Sequence, residues 1–281
     1  MCEFCLKHGE GKKWYLRAEN YSEDLLSDIR RRRMIETFFS NPEALARGAQ
    51  QLSKLDRAPG FIRGMVTRVI SRRMKRVHFG QVVPIEEVER ILEFVTSVVR
   101  LACICRHVTR GEEKRYCYGF SLAPNGGELA AILRGLDKSF LNGPDTAGLE
   151  PLGKEETVSA FRSHEREGLC HTLWTFRAPF IGGVCNCDRS DCLAMRATVT
   201  HRMPVMFRAE YVAEVSPDAC IGCRECMRAC QFGAVGYSAS DKKASIDQRW
   251  CYGCGVCRCM CKRNAIRLEQ RINVPAAARL W

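Results

Sequence analysis

The chain has 281 residues, 46% of them hydrophobic and 27% charged, which excludes a disordered or fibrous protein and leaves room for two or three domains with real cores. It carries a formal net charge of +12 and 18 cysteines. The opening MCEFCLKHGEGKKWYL lacks the apolar run of a secretory signal, and no stretch reaches the ~20 clean apolar residues of a bilayer span. A cytoplasmic protein is therefore expected, peripheral at a membrane at most. In a reducing compartment, cysteines this numerous and regular read as metal ligands before disulfides.

Residues 1–83 are expected to be a basic helical region. Ser22 can cap a helix opened by Glu23 and Asp24, with Leu25, Leu26, Ile29 and Phe38 or Phe39 on its apolar side. Asn41-Pro42 then reads as the cap and first position of another helix. Residues 61–79 hold six basic and no acidic side chains, with Ile62, Val66, Val69, Ile70 and Val77 at helical spacing. This basic amphipathic helix is first of all a solvated face packed on its own domain. Beyond that it suits an acidic partner or an anionic membrane surface, and nucleic acid least. The charge is uneven: 17 basic against 9 acidic residues in 1–83, 16 against 16 in 84–208, and 11 against 7 in 209–281.

Residues 84–208 are expected to be a mixed α/β domain. A helix runs from Pro84 to about Ala102 with Ile85, Val88, Ile91, Leu92, Val95, Val98 and Val99 on one face. Asn125-Gly126-Gly127 precedes a short helix ending near Gly135, and residues 141–148 form a loop. A charged helix from about Lys154 stops at Gly168, and residues 169–176 follow as a strand.

Residues 209–281 contain an internal repeat. An offset of 31 superimposes Val215 on Ile246, Cys220 on Cys251, Gly222 on Gly253, Cys223 on Cys254, Cys226 on Cys257, Cys230 on Cys261, Ala234 on Ala265 and Val235 on Ile266. Each copy reads C-x2-C-x2-C-x3-C, as CIGCRECMRAC and CYGCGVCRCMC. Residues 210–270 thereby resemble the bacterial ferredoxin domain with two 4Fe-4S clusters, and the fold class expected is α+β with a pseudo-two-fold dicluster domain at the C-terminus. Three thiolates on a tight loop reach three corners of a cubane while backbone N–H groups point at its sulfurs. In the resembled family the fourth cysteine binds the other cluster. The resemblance implies Cys220, Cys223, Cys226 and Cys261 for cluster one, and Cys251, Cys254, Cys257 and Cys230 for cluster two. The sequence departs from the family where a proline usually follows the fourth cysteine, having Gln231 and Lys262, and it adds Cys259 between two ligands. Two zinc sites are the alternative, though zinc favours paired C-x2-C units separated by a longer loop.

Ten cysteines remain outside these sets. C-x-C pairs at Cys103/Cys105 and Cys185/Cys187 would each present two thiolates on one side of an extended backbone, since residues i and i+2 share a face. Should the pairs face one another, they would hold a third centre, either a further iron–sulfur cluster or zinc, with Cys117 and Cys192 in reserve. Buried cysteine as a small hydrophobe is the alternative to this third centre. Cys170 and His171 are adjacent in a strand and should point to opposite faces, so both do not bind one ion, and His171 reads as a core or surface histidine rather than a ligand. Cys2 and Cys5 with His8 form an isolated C-x2-C pair. The runs CICRH, GLCHTLW and GGVCNCD ahead of a ferredoxin module also resemble poorly described ferredoxin-domain redox proteins of anaerobes.

No G-x-G-x-x-G, no phosphate-binding loop, no radical S-adenosylmethionine spacing and no acid–base pair is present. The expected function is electron transfer through two 4Fe-4S clusters, by a subunit or partner of a low-potential oxidoreductase rather than a stand-alone enzyme. The alternative is an enzyme whose substrate-binding metal centre in residues 84–208 is supplied with electrons by the ferredoxin domain.

Overall fold

A computed structural model describes residues 13–136 and 148–280; Cys2, Cys5 and most of the expected 141–148 loop lie outside them. After three short 3-10 turns, helices follow at Ile29–Ser40 (α1), Pro42–Leu55 (α2) and Gly60–Val77 (α3). The first boundary differs from expectation. Ser22 caps only a 3-10 turn, and α1 begins where the Asp28 carboxylate accepts from the Arg30 N–H at 2.8 Å. Asn41 caps α2 as expected, accepting from the Ala44 N–H at 2.9 Å. Helix α3 turns Val66, Ile70 and Met74 inward but leaves Phe61, Met65 and Val69 more than 60% exposed, so Val69 is not on the buried side.

The chain then forms β1 (Gly80–Val82), α4 (Ile85–Phe94), β2 (Ser97–Leu101), α5 (Ile104–Arg110), β3 (Cys117–Ser121), α6 (Gly127–Arg134), β4 (Glu150–Leu152), α7 (Lys154–Arg166), β5 (Cys170–Thr175), β6 (Ile181–Cys187) and β7 (Met206–Phe207). The helix expected through Ala102 ends at Phe94. SVVRL is a strand instead, because Val98 and Val99 are buried on opposite sides of a sheet while pairing with β3 and β4. The order is β4-β2-β3-β6-β5-β1-β7, antiparallel except for the β1–β7 pair.

One face of this sheet packs on α4 and α7 through Val88, Ile91, Leu92 and Phe161, and the same cluster takes in Trp14, Tyr15 and Tyr21. His171 is on this face, fully buried, with its Nδ1 2.7 Å from the Asn186 side-chain oxygen. The opposite face carries α1, α6 and the α2–α3 pair.

The remainder folds as two copies of strand, loop, short helix, strand. They are β8 (Tyr211–Val215), α8 (Glu225–Ala229) and β9 (Val235–Ser238), then β10 (Lys243–Ile246), α9 (Val256–Cys259) and β11 (Ile266–Gln270). The strands pair across the copies, β8 with β11 and β9 with β10. Arg271, fully buried, ties the module together by donating to the carbonyls of Ala209, Tyr211 and Cys251 at 2.7–2.8 Å.

Candidate metal centres

Each repeat carries in its cysteine loop a glycine that any side chain would strain. Gly222 and Gly253 have φ of +70° and +72°, and a Cβ would stand 2.2 Å from the Lys242 carbonyl oxygen and 2.0 Å from that of Tyr211. The loop is thereby pressed against the neighbouring strand, bringing strand N–H groups to the sulfurs. Ala244 donates to Cys220 Sγ and Ala213 to Cys251 Sγ, at 3.4 and 3.3 Å. Ala234 and Ala265 donate to Cys230 and Cys261, both at 3.3 Å. These four contacts obey the 31-residue repeat. Oriented N–H dipoles of this kind stabilise negative charge on sulfur.

Two small cavities lie between the copies. Cys220, Cys223, Cys226 and Cys261 line one, together with Arg224 and Arg263. Cys230, Cys251, Cys254 and Cys257 line the other. Each cavity thus gathers three cysteines of one copy and the fourth of the other. Burial pushes the Cys226 and Cys257 thiols up, and Cys251 up to about 11, so loss of their protons needs a compensating positive charge such as iron supplies. Cys259 lines neither cavity; it is exposed, beside Glu165, where burial and that carboxylate raise its pKa.

The module is seated on the sheet by polar contacts that the repeat pattern does not reveal. Gln231, where the resembled family has proline, donates to the Gly168 carbonyl at 2.7 Å and accepts from the Arg189 N–H at 3.0 Å. The buried Glu87 accepts from Lys13 at 2.8 Å and from the Tyr211 hydroxyl.

The remaining cysteines of the described residues gather in the sheet. Register decides this: Cys117 is opposite Cys185, Thr172 opposite Cys185, and Cys170 opposite Cys187, so Cys117, Cys185, Cys187 and Cys170 share one face. The Cys103/Cys105 pair is not extended as expected. Cys103 is the N-cap of α5 and Cys105 is inside that helix, yet the two thiols remain in hydrogen-bonding reach. Cys192, just before a short helical turn, completes the group.

The contacts run from Cys185 to Cys117 at 3.1 Å, from Cys117 to Cys103, Cys103 to Cys105, Cys105 to Cys192 and Cys192 to Cys187. Hydrogen bonds from their neighbours hold the Cys103 and Cys192 thiols well below the ordinary value. Arg106, buried and ion-paired with Asp188 and Asp191, approaches Cys103 Sγ at 3.7 Å. Among the described residues, no three His, Cys, Asp or Glu side chains converge as ligands of a single metal ion would. The expected foursome Cys103, Cys105, Cys185 and Cys187 is brought together, with Cys117 and Cys192 as full members; the sequence signal for those two was only their proximity to the C-x-C pairs.

A 4Fe-4S binding domain model matches residues 212–235. The chain is 33% identical over 79 residues to the Indolepyruvate oxidoreductase subunit IorA of Pyrococcus abyssi, covering 27% of this chain and 12% of that protein. It is 39% identical over 58 residues to a subunit of the ion-translocating oxidoreductase complex of Methanosarcina acetivorans, 21% of each chain. Against the Pyruvate synthase subunit PorD of Methanothermobacter marburgensis it is 38% identical over 53 residues, 19% of this chain and 59% of that one. The chain therefore spans between 12 and 59% of the length of these relatives. It is an iron–sulfur protein with a ferredoxin-type 4Fe-4S binding domain. Among the described residues no helix is long and apolar enough to cross a membrane.

Proposed function

We propose that the chain is an electron-transfer protein, a subunit or partner of a low-potential oxidoreductase, whose residues 209–281 hold two 4Fe-4S clusters. The observation that carries this reading is the pair of cavities, each lined by three cysteines of one repeat and the fourth of the other. The donor set suits the group: four thiolates per cavity, with strand N–H groups aimed at sulfur in both. Bound there, a 4Fe-4S cluster supplies one-electron chemistry at a potential the protein tunes. The chain's own part is to hold the thiolates, exclude water with Phe232 and Tyr252, whose rings stack at 4.0 Å, and set the local charge with Arg224 and Arg263.

The relatives described above are subunits of oxidoreductases or of their complexes, which supports a place beside a redox partner. Residues 61–79, with Phe61, Met65 and Val69 exposed between basic side chains, suit an acidic partner or an anionic membrane surface. A second reading, an enzyme with a substrate-binding metal centre in residues 84–208, draws on the six thiols beside an apolar cavity of about 550 Å³.

Iron and acid-labile sulfide in anaerobically purified full-length protein test the leading reading. Cys220→Ser with Cys226→Ser, and separately Cys251→Ser with Cys257→Ser, should each remove about four irons, while Cys259→Ser removes none. Colourless wild-type protein without labile sulfide would refute it.

A further inference from the structure

We propose that the sheet carries an additional iron–sulfur centre, held by the ring Cys103, Cys105, Cys117, Cys185, Cys187 and Cys192. The ring stands apart from the ferredoxin repeat and is drawn from four elements: the start of α5, the strands β3 and β6, and the turn after β6. Six thiols in successive contact supply the four thiolates that a 4Fe-4S cluster takes, with two to spare. A run of free cysteines serving only as small hydrophobes has no reason to collect around one cavity rather than disperse through the core. All six line the apolar cavity of about 550 Å³, which offers room for a polynuclear group.

Polar groups that a thiolate-bound cluster needs are already aimed at the ring. Thr172 Oγ1 lies 3.2 Å from Cys187 Sγ, and the Arg106 guanidinium, held by Asp188 and Asp191, is directed at Cys103. A cation so placed among several buried thiols would offset part of the negative charge that an anionic cluster brings.

The ring also has a neighbour. Cys170, fully buried on the same sheet face, is hydrogen-bonded to Cys254 of the second ferredoxin cavity, and it packs in one apolar cluster with Cys187 and Cys192. No residue outside that cluster has to intervene between the ring and the cavity of Cys230, Cys251, Cys254 and Cys257. The adjacency gives the centre a redox role only if the two-cluster reading above holds, whereas the ring's capacity to bind a cluster does not depend on it.

The test is iron, sulfide and zinc analysis of the full chain purified anaerobically, with EPR of the dithionite-reduced protein. Wild type should hold about twelve irons with matching sulfide, and replacing Cys103, Cys117 and Cys185 together by serine, which leaves fewer than the four thiolates a cubane takes, should lose about one third of both. The reduced wild type should show spin–spin broadening beyond that of the variant, which keeps the two neighbouring ferredoxin clusters. About eight irons in wild type, unchanged in the variant, overturns the proposal, as does zinc replacing the missing third without extra sulfide. Should the variant fail to fold, the wild-type metal and sulfide count decides alone. Loss of iron in the Cys103→Ser/Cys117→Ser/Cys185→Ser variant but none in Cys220→Ser/Cys226→Ser would leave the ring standing while removing the ferredoxin assignment.

Discussion

Gly253 offers a sharp test of how the second cysteine loop is held. An alanine Cβ would stand 2.0 Å from the Tyr211 carbonyl oxygen, whereas ordinary contact begins at 3.4 Å, so β8 and the loop must part by about 1.4 Å. That oxygen accepts from Arg271 at 2.8 Å, and Tyr211 pairs with Gln270 of β11, so displacement strains contacts on both sides. The left-handed φ of +72° adds about 1 kcal/mol for any L side chain, and the forced separation about 2 kcal/mol more, for a total near 3 kcal/mol. Gly233 separates the two effects. Its φ is +69°, but a Cβ there meets nothing within 4 Å, so Gly233→Ala should lose only the conformational part, about 1 kcal/mol. Urea unfolding under argon, followed by visible absorbance and far-UV circular dichroism, measures both variants. Equal losses in Gly253→Ala and Gly233→Ala would show that loop and strand are not in the contact described, and the account of how N–H groups reach Cys251 would fail with it.

Arg271→Ala should destabilise the module by about 3 kcal/mol, because three buried carbonyls lose their donor; a urea midpoint shift worth under about 1 kcal/mol would contradict that. Neutralising Arg224 or Arg263 at the first cavity should lower its potential by about 40 mV each, from about 1 kcal/mol of screened charge interaction, as read by protein-film voltammetry. The same change at Arg228 or Arg258 should do less, since Glu225 and Glu86 already pair with them. Gln231→Ala should cost about 1–2 kcal/mol through loss of its contacts to Gly168 and Arg189, with no change in iron content. Burial lowers the pKa of His171 to about 4, against 6.5 unfolded, so its neutral form stabilises the fold fully above pH 6.5 and progressively less as the pH falls towards 4. Wild type should therefore lose about 1 kcal/mol more than His171→Asn between pH 6.5 and 5.5; parallel unfolding curves would count against it.

The cysteine loops are legible in the sequence because their chemistry is local: spacing, glycines and a fourth cysteine one turn away fix what a loop of that length can hold. Local signals also mark α2 through Asn41-Pro42 and the end of α7 through Gly168. SVVRL reads as helix because its apolar spacing suits both periods, and only pairing with β3 and β4 selects the strand. Ile29 reads as part of the apolar side, yet it is 70% exposed, because the Asp28 cap sets where the turns of α1 fall.

Cys103 and Cys185 lie 82 residues apart in the chain, and no periodicity brings them together. Strand register sets Cys117 opposite Cys185, and Cys117 in turn meets Cys103 at the start of α5. Gln231 reads in sequence as a missing proline, and its partners are known only once the module is seated on the sheet. Sequence by itself thus determined the two cysteine loops and their spacing. Tertiary structure decided which distant thiols share a cavity, because sheet pairing and packing depend on the whole chain.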